Sequence, residues 1–158
     1  MVTTLHPATV HFPIALLLLA AAAGLLHLYW RQHTTLRLLT WWPLLLGWLG
    51  NGVAIATGLL AQSGLPPQAP YRAVLNWHIT TGLALWLVAG LLLYRAWLQG
   101  KPRRRGKGVV DPPNPDLLLA PAARLGLTLA FVLIIFLVWV SGWNGGKLVY
   151  EWGVNVMP

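Results

Sequence analysis

Thr9-Val-His11-Phe-Pro13-Ile-Ala15-Leu-Leu-Leu-Leu-Ala20-Ala-Ala-Ala23-Gly24-Leu-Leu-His27-Leu-Tyr-Trp30 runs for 22 residues without an Asp, Glu, Lys or Arg. A helix needs roughly 20 predominantly apolar residues to cross a ~30 Å hydrocarbon layer. Three comparable blocks follow, at residues 38–61, 73–98 and 117–142. Their Leu and Ala content predicts helices; a barrel would show alternating strands. Composition agrees, with 57% of the 158 residues hydrophobic and only 9% charged, too apolar for a water-soluble domain. The prediction is an all-α integral membrane fold: a four-transmembrane-helix bundle, up-down-up-down, forming a single membrane domain over residues 1–158. Residues 143–158 are expected to form an outer C-terminal segment. The first block ends in Ala20–Ala23 like a cleavable signal, but no Lys or Arg precedes it. It is therefore expected to be a retained span.

The net charge is +8, and its placement is informative. Arg31, Arg37, Arg95, Lys101, Arg103, Arg104, Arg105, Lys107 and Arg124 fall at one side of the predicted spans, nine of the eleven basic residues. Only Arg72 and Lys147 fall at the other. The positive-inside rule puts the nine in the cytoplasm and both termini outside, in a bacterial inner membrane. The basic run at residues 101–107 reads as a juxtamembrane contact with anionic lipid, not as a nucleic-acid site. Residues 111–116, with Pro112, Pro113 and Pro115, read as a stiff extended linker. The absence of cysteine excludes disulfides, iron–sulfur clusters, covalent c-type haem and thiolate metal sites.

Histidines carry the chemistry. His6, His11 and His78 share the outer leaflet in this topology. His27 is sixteen residues past His11, about 24 Å further along a helix, and His33 lies in the first basic loop. Imidazoles inside a membrane are rare unless paired or ligating. Spans one and three are diagonal in an up-down-up-down bundle, so His11 and His78 can point at each other and hold one haem iron from both faces. Ala15 and Gly82, one turn below them, leave room for a porphyrin. The runs starting at His11 and His78 also form a faint repeat, which would place the pair near a pseudo-twofold axis along the membrane normal. His6 is the substitute ligand, and His27 reads as structural.

The other polar and aromatic features read as architecture. Trp30, Trp41, Trp42, Trp77, Trp143 and Trp152 fit interfacial aromatic belts. Gly50, Ala54 and Gly58 form a small-residue stripe expected to pack against another helix. Asn51, deep in span two, is expected to be either an interhelical tie or a cofactor contact, with the tie favoured.

The run His6-Pro7-Ala-Thr-Val10-His11-Phe12-Pro13-Ile14-Ala15 resembles the opening of a family of small bacterial membrane proteins, domain of unknown function 2231. Gly145-Gly146-Lys-Leu148-Val149-Tyr150-Glu-Trp-Gly153-Val154-Asn-Val156 resembles that family's closing motif. The resemblance implies four transmembrane helices and places the family's histidines on His6, His11 and His78. Some members resemble membrane modules joined to c-type cytochrome domains, which implies electron transfer. Many relatives have histidine where this chain has Trp152, a departure that implies the loss of one potential ligand.

The functional expectation is a small integral membrane subunit that binds one b-type haem near the outer surface. It would carry electrons within a larger respiratory or photosynthetic complex. His11 and His78 would ligate the metal, with Arg72 and Lys147 pairing with the propionates. Gly145–Val156 would fold over the outer mouth. The expected partners are the lipid bilayer, other subunits of that complex and a periplasmic c-type cytochrome. One rival is a structural or pigment-binding accessory subunit with no redox activity, holding no cofactor or a (bacterio)chlorophyll. Another is a zinc or copper site built from His6, His11, His78 and Glu151. No hydrolytic triad, phosphate loop or carboxylate pair is present, and the only acids are Asp111, Asp116 and Glu151. The chain therefore reads as an electron-transfer or accessory subunit more than as an enzyme alone.

The charge split predicts that a cysteine introduced beside Arg103–Arg105 is shielded from an impermeant reagent applied to intact cells. Labelling there from outside would reverse the topology.

Overall fold

The computed structural model describes residues 2–101, 104–105, 109–110 and 116–154. Four long helices dominate: α1 Val2–Tyr29, α2 Thr34–Gln62, α3 Arg72–Gly100 and α4 Arg124–Tyr150. Each is long and apolar enough to cross a membrane. A two-residue antiparallel ribbon, β1 Arg104–Arg105 with β2 Val109–Val110, lies between α3 and α4. Two 3₁₀ turns, Leu117–Leu119 and Pro121–Ala123, precede α4. The chain goes up, down, up and down, so α1 and α3 are diagonal. Packing is closest within the pairs α1/α2 and α3/α4; the α1/α4 and α2/α3 seams are looser. The bundle is two tight hairpins set face to face.

Several helix boundaries differ from the sequence reading. Helix α1 begins at Val2 and carries Pro7 and Pro13 inside it. Proline suits the first helical position, but membrane helices also tolerate it inside. At the far end, α4 starts at Arg124 and not at Leu117. Pro121 pushes Ala120 out of the helical region, to φ −84 and ψ 110. The buried Leu117 and Leu118 instead plug the basic end of the core. Asp116 anchors this plug. Its carboxylate accepts from Trp41 Nε1 at 3.0 Å, from the Leu118 backbone N–H at 2.9 Å and from Arg37 at 3.0 Å.

Helix α4 also continues through Gly142, Gly145 and Gly146 to Tyr150, so these glycines do not end it. The turn that does end it uses Gly153, at φ 60, a conformation only glycine adopts cheaply. The expected mouth-covering segment is thereby reduced to a short turn, whose Val154 packs with Leu75 and Leu148. Its last two positions, 155 and 156, lie outside the described residues.

Small residues set the helix spacings. The stripe on α2 faces α1: a Cβ on Gly50 would lie 3.3 Å from Phe12 and 3.4 Å from Pro13, and one on Gly47 would lie 2.9 Å from Leu17. On the α1/α4 seam the fully buried Phe131 ring lies on Gly24. The α2/α3 seam is built reciprocally. Trp48 of α2 sits on Gly90 of α3, Trp86 of α3 sits on Gly52 of α2, and the two indoles stack at 5.3 Å. Around this interior the outward faces are apolar, with Leu129, Val132, Phe136 and Trp139 of α4 all exposed, as lipid contact requires.

Gly24→Ala should destabilise the bundle by about 1–3 kcal/mol, because the new methyl would collide with the Phe131 ring. Thermal unfolding in detergent measures this, and Phe131→Leu should relieve part of the loss. An unchanged midpoint would mean that α1 and α4 do not meet there.

Candidate functional site

The half of the bundle that carries the termini contains a cavity of about 450 Å³ lined by all four helices. Two imidazoles face each other inside it. His6, on the second turn of α1, and His78, on the second turn of α3, have ring centroids 5.9 Å apart and planes crossed at 80°.

Each ring is held in the same way. His6 Nδ1 is 2.9 Å from the carbonyl oxygen of Ala54, and His78 Nδ1 is 2.9 Å from that of Ser141. A carbonyl only accepts, so Nδ1 carries the proton in both rings and Nε2 keeps its lone pair. A hydroxyl stands 3.4 Å from each Nδ1, Thr57 for His6 and Ser141 for His78. Four residues after each accepting carbonyl comes a glycine against which the ring lies. A Cβ on Gly58 would be 3.0 Å from His6 Cε1, and one on Gly145 would be 3.0 Å from His78 Cε1. The α1/α2 and α3/α4 hairpins therefore repeat one device: imidazole, helix carbonyl and glycine seat.

This repeat corrects the sequence pairing. His6, not His11, is the partner of His78. Five residues turn a helix through about 500°, which leaves His6 and His11 about 140° apart around α1. Both cannot face the core. His11 is exposed at the cavity margin, and its ring makes no hydrogen bond to the described residues. The glycine partners were the missed signal: Gly58 had been read only as a packing residue, and Gly145 only as part of a terminal motif.

The remaining candidates divide clearly. Gly82 lines the cavity, and a Cβ there would meet only Ser141 Oγ, at 3.9 Å. Asn51 donates to the Gly82 carbonyl at 3.3 Å and so ties α2 to α3. Ala15 is exposed and plays no part. Arg72 does not line the cavity; its guanidinium holds the carbonyls of Leu65 and Pro66 in the α2–α3 loop. Lys147 is also outside the lining, with its ammonium 5.8 Å from the Trp143 ring centroid. Gln62 and Tyr150 are polar groups that do line it. His33 caps α2, accepting from the Thr35 N–H, and His27 is fully buried with both ring nitrogens unpartnered among the described residues. Trp152 packs near Tyr71, with centroids 6.2 Å apart. Glu151 is exposed, and no three histidine or acidic side chains come together among the described residues. The four-ligand zinc or copper site is not assembled.

Architecture and terminal motifs meet in one comparison: a family model described as predicted membrane protein (DUF2231) matches residues 2–158. The chain belongs to that family. Comparison with curated proteins and with solved structures gives no match. Family membership thus covers both hairpins and both imidazoles, and identifies a membrane protein without specifying its chemistry.

Proposed function

We propose that this chain is a small integral membrane subunit that binds one b-type haem between His6 and His78. Its role would be electron transfer within a larger respiratory or photosynthetic complex. The observation that carries this reading is the facing pair of imidazoles, each with Nδ1–H tied to a carbonyl and Nε2 left free. That is the arrangement of histidines which ligate metals, where the second nitrogen's hydrogen bond fixes tautomer and orientation.

The residues present fit such a group. Two imidazole nitrogens each about 2 Å from one metal ion put their ring centroids on the order of 6 Å apart, against the 5.9 Å found. The cavity volume, about 450 Å³, lies within the common range for cofactor pockets. Gly82 leaves open space beside the pair. Bound there, haem would supply reversible one-electron chemistry. His6 and His78 would hold it from opposite hairpins, and the apolar walls Leu17, Leu85 and Val138 would keep water away. Gln62 and Tyr150, which line the cavity where Arg72 and Lys147 do not, would meet the propionates. A (bacterio)chlorophyll held through one axial ligand would leave the second anchored imidazole unexplained. The proposed setting is a bacterial inner membrane with both termini outside, which puts the site within reach of a periplasmic c-type cytochrome.

Purified protein should show a low-spin b-type spectrum when reduced. His6→Ala and His78→Ala should each abolish it, since one axial ligand cannot sustain that state. His11→Ala should leave it in place. Loss with His11→Ala and retention with His6→Ala would restore the pairing expected from sequence. A folded protein without haem absorbance would leave a structural subunit.

A further inference from the structure

A second concavity, which shares no lining residue with the histidine cavity, lies on the α2/α3 seam. It is a groove of about 490 Å³, floored by Trp48, Trp86 and Gly90 and flanked by Leu87, Leu91 and Trp97. Its origin is the reciprocal indole–glycine packing. Each indole spans the seam and lies on the opposite helix's glycine, so the two backbones are held apart by aromatic rings. On the basic side of these rings Leu87, Leu91, Tyr94 and Trp97 line the groove and stand exposed along it.

The groove's position selects its occupant. Trp48 is the middle residue of α2, and Trp86 is the middle residue of α3, so the indole stack marks the centre of both spans. From Trp86 to Trp97 the helix rises about 16 Å, close to the ~15 Å depth of one hydrocarbon leaflet. Lys101 stands four residues further on, about 6 Å higher, at headgroup depth. Its ammonium lies 3.3 Å over the ring of Trp97, the last residue of α3 to line the groove. Among the described residues it meets no carboxylate, because the only ion pair is Arg37–Asp116. A slot one leaflet deep, apolar along its length and cationic at its mouth, matches a phospholipid with an acyl chain below and a phosphate above.

We infer that the α2/α3 groove is a binding site for one anionic phospholipid in the leaflet at the basic end. The chain lies along Leu87, Leu91 and Trp97, and the headgroup rests on Lys101. This site is independent of the histidine cavity and of any cofactor there.

Native mass spectrometry of the detergent-purified chain, titrated with phosphatidylglycerol or phosphatidylcholine, tests this. One phosphatidylglycerol should be retained per chain, in preference to phosphatidylcholine. Lys101→Gln should cut that preference about fivefold, the effect of one lysine near an anionic headgroup. Leu87→Trp, which fills the groove, should remove retention of both lipids. Leu129→Trp, equally bulky on the exposed face of α4, should change nothing. An unchanged preference in Lys101→Gln would overturn the assignment, whatever the folding of the other variants. So would lipid retention in a folded Leu87→Trp chain, or a lipid-free dimer that this substitution dissociates.

Discussion

An imidazole inside a bilayer has no water to satisfy its polar atoms. The organisation of this bundle's terminal half rests on how that constraint is met. His6 and His78 each give their Nδ1–H to a carbonyl on the next helix, at 2.9 Å in both cases. Helix carbonyls normally serve their own helix, and reaching one from a neighbour requires close approach. Gly58 and Gly145 permit it, because any side chain there would collide with the ring. The bonds, the glycines and the tight hairpin packing are therefore one requirement seen three ways. Its outcome is a pair of anchored imidazoles, with ring centroids 5.9 Å apart, lining one cavity.

The same logic explains the asymmetry between the two ends of the molecule. At the basic end the core is closed by a plug, Leu117 and Leu118, pinned by the carboxylate of Asp116. Phe131 on Gly24 seals the α1/α4 seam in that half. At the terminal end, small residues on α2, α3 and α4 leave a cavity instead. The one half is packed to hold the helices together. The other is opened around two hydrogen-bonded imidazoles, a division of labour expected where a site is carried on rigid elements.

Much of this was legible in the sequence. Uninterrupted apolar runs gave four spans and their alternating directions, and the stripe Gly50, Ala54 and Gly58 does face a neighbouring helix. The small residue at Gly82 and the bridging role of Asn51 were also readable from helical spacing. The choice between His6 and His11 was not. It depends on where α1 begins, and Pro7 is an ambiguous signal that suits both a helix start and a tolerated internal proline. The paired glycines lie 52 and 67 residues from their histidines, so no local pattern links them. Arg72 and Lys147 had the right side of the membrane for propionates, but loop carbonyls hold the first, and the second stands over an indole.

The crossing of the imidazole planes offers the most direct test of the account. A haem held by His6 and His78 with their planes crossed at 80° would give, when oxidised, a highly anisotropic low-spin electron paramagnetic resonance signal. The oxidised, purified protein should show that signal at low temperature, with its strongest feature at unusually low field. A rhombic signal of parallel imidazoles, a high-spin signal of a single axial ligand, or no haem signal would contradict the paired site.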